Sequence, residues 1–184
     1  MAAPTPVSSL VHSSTLVTAG VFILIRFNKI LIRGSLFLLI IRLITLLIAG
    51  IIANYEWDIK KLIALSTLSQ LGFICVSLSL GMVILRFFHL LTHALFKASL
   101  FIRSGVVIHT LDSSQEFRNS SLISVDYLLG RAVLVCVFCL IGFPFFSGFF
   151  SKDFILDGGV LRFFLYIFFL CGVLTTVGYS LRFV

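Results

Sequence analysis

The chain has 184 residues, of which 60% are hydrophobic and 11% are charged. Its mean hydropathy of +1.19 is a value that soluble globular domains do not reach, so the sequence predicts an integral membrane protein. The net charge of +7 comes from basic residues scattered at the ends of apolar segments, without the clustered basic and aromatic surface that nucleic-acid binding requires. A nucleic-acid partner is therefore excluded.

The apolar segments set the number of membrane crossings. A helix that crosses about 30 Å of hydrocarbon needs about 20 residues. By that measure the sequence predicts one all-α membrane domain, residues 1–184, with about six transmembrane helices, the fifth of them broken. The predicted ranges are 6–27, 34–53, 62–83, 86–108, 127–157 (broken) and 160–182.

The first predicted helix carries a histidine among hydroxyl-bearing residues. Ser8, Ser9 and Thr15 lie three or four positions from His12 and therefore close to its face of the helix. Histidine exchanges a proton near neutral pH at little cost. We expect His12 to take part in proton transfer. The alternative is that these polar groups only hold neighbouring helices together.

The second and third predicted helices carry polar residues of different kinds. Arg42 lies near the centre of the second, where a charged side chain must face protein or water, and the sequence shows no partner for it. The third begins with small and hydroxyl-bearing residues that permit close packing and interhelical hydrogen bonds. These residues are Ala64, Ser66, Thr67 and Ser69, followed by Gln70.

The fourth predicted helix lies within Arg86 to His109, an apolar segment that nevertheless contains His89, His93 and Lys97. Four residues advance a helix by about 40° beyond a full turn, so these three side chains follow one slowly winding face. A lysine at a helix centre costs roughly 2.5–3.5 kcal/mol on insertion scales, and Lys97 lies too deep to reach the interface without strain. We interpret this helix as the core of a proton path.

The histidines and cysteines of the apolar segments also have structural interpretations. His89 and His93 could each simply hydrogen-bond a neighbouring carbonyl group. Their spacing matches part of a zinc motif, but the glutamate of that motif is missing, so we predict no metal site. Cys136 and Cys139 form a C-x-x-C pair inside an apolar run, which favours core packing over redox chemistry. Cys75 and Cys171 also lie in apolar runs, so we expect all four cysteines to be buried as small apolar side chains.

The fifth predicted helix is interrupted at residues 142–148, GFPFFSG, and Lys152 and Asp153 follow the interruption. Proline removes a backbone donor and glycine loosens a helix, so a break is expected there. Broken helices at membrane depth occur where they line a cavity, and transporters use them for ion sites. The alternative is that the helix ends near Gly142 and that Lys152 lies in a solvated loop.

Four stretches closely resemble one protein family, the mitochondrially encoded, distal antiporter-like subunits of NADH:ubiquinone oxidoreductase, respiratory complex I. These stretches are APTPVSSLVHSSTLVTAG (3–20), DIKKLIALSTLSQLG (58–72), HLLTHALFKASLF (89–101) and GFPFFSGFFSKD (142–153). Arg42 and Arg103 depart from the pattern of that family. The sodium/proton antiporter subunits of the related multisubunit type remain an alternative, as does a structural membrane segment without pumping.

The resemblance implies two inverted five-helix repeats, each with a broken helix, and a central line of buried lysines and histidines that carries protons. It matches His12 to the histidine on the central axis, Lys97 to the buried lysine of the second repeat, and Lys152 to the lysine of the second broken helix, with Asp153 beside it. The first broken helix is expected before Met1, and further helices and a long lateral helix after Val184.

The expected cofactors and partners follow from the same resemblance. The sequence has no P-loop, dinucleotide fingerprint, haem ligand pair or iron–sulfur cysteine pattern, so we expect no cofactor in this chain. NADH, FMN, iron–sulfur clusters and ubiquinone are expected in other subunits of the parent complex, which couples quinone reduction to proton pumping across the mitochondrial inner membrane. The expected partners are the other membrane-arm subunits and the lipid bilayer, with no direct small-molecule substrate.

Overall fold

The computed structural model describes residues 7, 11, 15–27, 35–81, 83–110, 116, 127–157 and 163–182. The described residues form helices joined by turns, with an isolated bridge between Asp58 and Glu116 and no strand among them. The helices are α1 (Leu16–Arg26), α2 (Ser35–Tyr55), α3 (Ile59–Ser79), α4 (Val83–Thr110), α5 (Tyr127–Ile141), α6 (Ser147–Asp157) and α7 (Phe163–Leu181). His12 and the start of the first predicted span lie outside these residues.

Three of the described helices are long and apolar enough to cross a membrane by length and composition: Leu36–Tyr55, Ile59–Ser79 and Ile84–His109. Shorter apolar helices cover Leu16–Arg26, Gly130–Ile141 and Leu165–Leu181. The prediction of an all-α membrane protein is confirmed, and so is the break in the fifth predicted helix, because α5 ends at Ile141 and α6 begins at Ser147.

Helix α4 lies at the centre of the bundle and packs against α1, α3, α5 and α6. Its buried face carries both polar and apolar side chains, whereas its outer face is largely apolar: Lys97 and Leu100 are fully or almost fully buried, while Leu95 is 69% exposed. Helix α3 likewise buries polar side chains together with apolar ones, with Ser69 and Ile63 fully buried and Leu68 49% exposed. In lipid an apolar exterior carries no penalty, so this distribution fits a membrane bundle whose polar groups line the interior.

Arg42, for which the sequence offered no partner, lies half-buried between α2 and α3. Its Nη1 donates to the Cys75 carbonyl oxygen at 2.9 Å and to the Ser79 hydroxyl at 3.0 Å. Both acceptors lie in the last turn and a half of α3, near the negative end of its helix dipole. The guanidinium group therefore bonds to the C-terminal part of α3 while it remains inside the protein.

Helices α2 and α3 pack extensively against each other, and Gly72 allows their backbones to approach closely. A Cβ atom on Gly72 would lie 3.0 Å from the backbone nitrogen and Cα of Leu46 on α2. Leu46 and Phe73, both fully or almost fully buried, belong to a core cluster that also contains Leu43, Val76 and Phe169. The absence of a side chain at Gly72 therefore sets the distance between the two helices.

We expect Gly72→Ala to destabilise the protein by about 1–3 kcal/mol, because the new methyl group presses on backbone that cannot rotate away. Gly130→Ala is the matched control, since a Cβ there meets nothing within 4 Å. That substitution should be neutral or slightly stabilising, because alanine favours a helix over glycine by about 1 kcal/mol. Thermal unfolding of the purified protein in detergent micelles measures both. Equal unfolding temperatures for the two variants would contradict the packing argument.

Candidate functional site

The site is built on the buried face of α4. Arg86, His89, His93 and Lys97 occupy that face at helical spacing, and none of them is more than 4% exposed. The sequence prediction that the two histidines and Lys97 share one face therefore agrees with their common burial, although the roles assigned to them remain predictions. The complete burial of Arg86 was not foreseen.

Lys97 lies at the contact between α4 and α3. Its Nζ donates to the hydroxyl oxygen of Ser66 at 2.5 Å, and the same Nζ lies 6.0 Å from the ring centroid of Tyr179 on α7. Ser66 in turn donates to the Ile63 carbonyl at 2.7 Å. The ammonium group is thus held by a neutral oxygen and an aromatic face, and no carboxylate among the described residues forms an ion pair with it.

Tyr179 connects this lysine environment to the interior side chains of α3. Its hydroxyl lies 3.0 Å from Ser69 Oγ and accepts a hydrogen bond from Gln70 Nε2 at 3.3 Å. Sequence reasoning singled out Ser69 and Gln70 as packing residues but missed Tyr179. The signal for it was weak, since one tyrosine in an apolar segment near the end of the chain is ordinarily an interfacial anchor.

A cavity of about 10 Å³ lies one turn from Lys97, at the meeting point of α3, α4, α5 and α6. A space of roughly 10–15 Å³ with polar partners holds a single water molecule. The polar side chains that line the cavity are Gln70, His89, Thr92, His93, Cys139 and Lys152. The described structure thus brings His89 and His93 together with Lys152 around one small cavity, whose apolar lining comes from Phe96 and Leu140.

The two histidines differ in their hydrogen bonds. His89 Nδ1 lies 2.8 Å from Ser151 Oγ on α6, whereas His89 Nε2 has no hydrogen-bond partner among the described residues. Both ring nitrogens of His93 are buried and likewise have no partner in the described part of the chain. The ring centroids of His89 and His93 are 6.4 Å apart. Buried ring nitrogens that face a water-sized cavity are suited to exchange protons with water.

The break between α5 and α6 positions Lys152. The backbone reverses there, with φ values of 85° at Gly142 and 72° at Phe145. A Cβ atom on Gly148 would overlap the carbonyl group of Cys139, so only glycine lets the start of α6 approach α5 this closely. The break therefore folds α6 back against α5 and leaves Lys152 only 4% exposed.

Lys152 Nζ donates to the carbonyl oxygen of Leu140, and it lies 3.4 Å from that of Ile141 and 3.5 Å from the hydroxyl of Thr176 on α7. The last carbonyls of a helix lack backbone donors and form the negative end of its dipole. The prediction that Lys152 lies just past a break is consistent with this placement, and the alternative of an exposed loop lysine does not fit a buried side chain. Asp153 is half-buried and forms no ion pair within 4.0 Å in the described structure.

Cysteine placement is mostly as expected. Cys136 and Cys139 are buried with free thiols, and Cys75 is half-buried. Cys171 is exposed, which corrects the expectation that all four are buried, because its face of α7 turns away from the bundle. Within the ranges that the structure describes, no three histidine, cysteine or acidic side chains lie close enough together to hold a metal ion.

The comparisons with known proteins point to one family. The model of the NADH:quinone oxidoreductase/Mrp antiporter transmembrane family matches residues 1–178. NADH-ubiquinone oxidoreductase chain 5 of Anopheles gambiae is 51% identical over 193 residues, which cover 100% of this chain and 33% of the relative. NADH-ubiquinone oxidoreductase chain 5 of Locusta migratoria is 50% identical over 188 residues, which cover 99% of this chain and 33% of the relative.

A solved structure shows the same architecture. A chain of the Mrp complex from a Dietzia species superimposes with a TM-score of 0.86 at 29% identity, over 98% of this chain and 22% of that one. The chain spans about a third of the length of the two insect relatives named above. Because the family model covers nearly all of the sequence, the chain belongs to the NADH:quinone oxidoreductase/Mrp antiporter family of membrane subunits.

Proposed function

We propose that this chain is part of a proton-translocating membrane subunit of NADH:ubiquinone oxidoreductase in the mitochondrial inner membrane. The observation that carries the proposal is the buried set of Lys97, His93, His89 and Lys152 on α4 and α6, grouped near one small cavity. The names of the insect relatives, which match over the whole chain, support the parent complex. Other membrane-arm subunits and lipid would surround the exposed apolar faces, and the oxidation of NADH and reduction of ubiquinone would take place in other subunits.

The chemistry of the path follows from the partners of the two lysines. Burying a charge without a paired countercharge costs several kcal/mol, whereas the neutral amine is easily accommodated. Within the described structure, Lys97 and Lys152 are hydrogen-bonded to hydroxyl and carbonyl oxygens, which accept from either form of the amine. A small change in the electrostatic surroundings therefore suffices to move a proton on or off each lysine.

We assign the order of transfer from the positions of the side chains. Lys97 exchanges with His93, one turn away on α4, and His93 exchanges through a water in the cavity with Lys152. His89 joins the same cavity from the other side of His93. Asp153, the neighbour of Lys152, adjusts the charge balance at that lysine. His12 would link this half of the path to the remainder of the subunit.

Reconstituted vesicles distinguish this function from its rivals. With the complete complex in the membrane, we expect NADH and a ubiquinone analogue to drive proton movement in sodium-free buffer. A sodium gradient imposed without NADH should drive none. Proton movement that follows the sodium gradient and ignores NADH would instead establish a sodium/proton antiporter. If neutral substitutions of Lys97 and Lys152 left protons per NADH unchanged, the chain would be a structural segment.

Ser66→Ala tests how Lys97 is held. We expect this variant to lower the subunit's share of protons pumped per NADH by about tenfold, because one hydrogen bond to a group that becomes charged contributes on the order of 1.5–3 kcal/mol. Ser104→Ala is the matched control, since Ser104 is also buried and, among the described residues, its hydroxyl bonds to the Phe101 carbonyl of its own helix. Equal pumping by the two variants would remove Ser66 from the mechanism.

A further inference from the structure

Ser151 is buried at the contact between α6 and α4, beside the lysine that the proposed function uses. It is fully inaccessible, and its neighbour in sequence, Lys152, points toward the end of α5. Its hydroxyl has two partners: it donates to the Gly148 carbonyl of its own helix at 3.1 Å, and it lies 2.8 Å from His89 Nδ1. One side chain of the broken helix therefore touches a histidine that lines the cavity.

A serine hydroxyl carries one proton and two lone pairs. With that proton on the Gly148 carbonyl, 3.1 Å away, the lone pairs are left for His89 Nδ1 at 2.8 Å, and in this arrangement His89 is the donor. In a neutral imidazole only one nitrogen carries a hydrogen. His89 Nε2 is then an unprotonated acceptor, and it is the nitrogen that is buried without a partner in the described structure.

We infer that Ser151 is a positioning residue that fixes the neutral His89 ring as its Nδ1–H tautomer and leaves Nε2 as the nitrogen that accepts protons. This inference rests on the proposed function for its effect on pumping, but the tautomer itself is a property of the site alone. When Nε2 gains a proton, the ring donates from both nitrogens and the bond to Ser151 is retained. The proton can leave only by the nitrogen through which it entered, so His89 holds a proton without passing it through the ring.

The contact also makes the histidine sensitive to the position of α6. Ser151 lies one turn after Gly148, whose lack of a side chain allows α6 to approach α5. A displacement of α6 would move the serine away from His89 and would shift Lys152 with it, since the two are consecutive. Among the described residues, the titratable groups that line the cavity with His89 are His93 on its own helix, Lys152 on α6 and Cys139 on α5. Arg86 lies one turn before His89 on the buried face of α4.

Infrared spectroscopy of the full-length subunit in its assembled complex tests the tautomer directly. Ring vibrations of imidazole differ between the Nδ1–H and Nε2–H forms, and subtracting the spectrum of His89→Gln isolates the bands of His89. We expect the Nδ1–H bands in the unmodified protein and in Ser151→Thr, which keeps the hydroxyl. In Ser151→Ala we expect a mixture of the two tautomers. Nε2–H bands in the unmodified protein, or unchanged Nδ1–H bands in Ser151→Ala, would overturn the inference.

Proton translocation gives a second readout. We expect Ser151→Ala to lower the subunit's share of protons per NADH by about tenfold, the effect of one lost hydrogen bond to an ionisable group, and Ser151→Thr to restore it. Ser77→Ala is the matched control, because Ser77 is equally buried and its hydroxyl bonds back to the Ile74 carbonyl of its own helix at 2.7 Å. If Lys97→Met abolished pumping while Ser151→Ala pumped normally, the proposed function would stand and the role of Ser151 in it would be refuted.

Discussion

Lys97→Met is expected to remove about 99% of the subunit's share of protons pumped per NADH oxidised, because a positioned proton-transfer group contributes on the order of 10²–10⁴-fold. Methionine has a similar length and fills the same buried space, so the bundle should assemble normally. The variant does leave Ser66 without its partner on α4, but the Ser66 hydroxyl still donates to the Ile63 carbonyl. Proton uptake into vesicles, divided by the rate of NADH oxidation, measures the effect.

Lys61→Met is the control, because it makes the same lysine-to-methionine change at an exposed position. The Lys61 side chain is 60% exposed and pairs with Asp58 at 2.8 Å, a surface ion pair that contributes little to stability. We expect its pumping to match that of the unmodified complex. If Lys97→Met behaved like Lys61→Met, Lys97 would have no part in proton transfer and the proposed path would lose its central member.

Lys152→Met is expected to reduce the same share of pumping by about a hundredfold and also to destabilise the bundle. Lys152 donates to the final carbonyls of α5 across the break. Its removal leaves the carbonyl oxygens of Leu140 and Ile141 without this donor. Each buried acceptor that loses its donor costs about 1–3 kcal/mol. The variant should therefore show a lower unfolding temperature than Lys97→Met, whose partner is a hydroxyl that retains another bond.

Lys152→Arg separates the two effects. Arginine provides donors for the α5 carbonyls, but its guanidinium does not release protons in proteins. We expect Lys152→Arg to recover much of the lost stability and to leave pumping impaired. Recovery of pumping together with stability would show that Lys152 holds the break in place without exchanging protons.

The broken helix shows how far the sequence predicts the site. Proline and paired glycines at residues 142–148 indicated an interruption, and α5 and α6 meet there. The sequence also placed Lys152 just beyond it. It could not show that the lysine returns to the carbonyls of α5, because that contact depends on Gly148 fitting against the Cys139 carbonyl. Such a close approach is a property of two backbones in space.

The fourth helix shows the same limit. Spacing alone predicted that His89, His93 and Lys97 share a face, because helical periodicity is a local property. The partners of His89 and Lys97 come from three other helices: Ser66 on α3, Ser151 on α6 and Tyr179 on α7. Serine and tyrosine in apolar segments usually serve packing or anchoring, so nothing local distinguishes these residues. The partner of Arg42 was hidden for the same reason.

The most direct test of the account compares Lys97→Met, Lys152→Met and the double variant in one vesicle assay of protons per NADH. If both lysines belong to a single path, each single variant blocks it, and the double variant pumps no less than either single variant. If they belong to separate paths, each single variant retains the contribution of the other lysine and only the double variant loses both. We predict three equal residual values. A double variant well below both single variants would contradict the account.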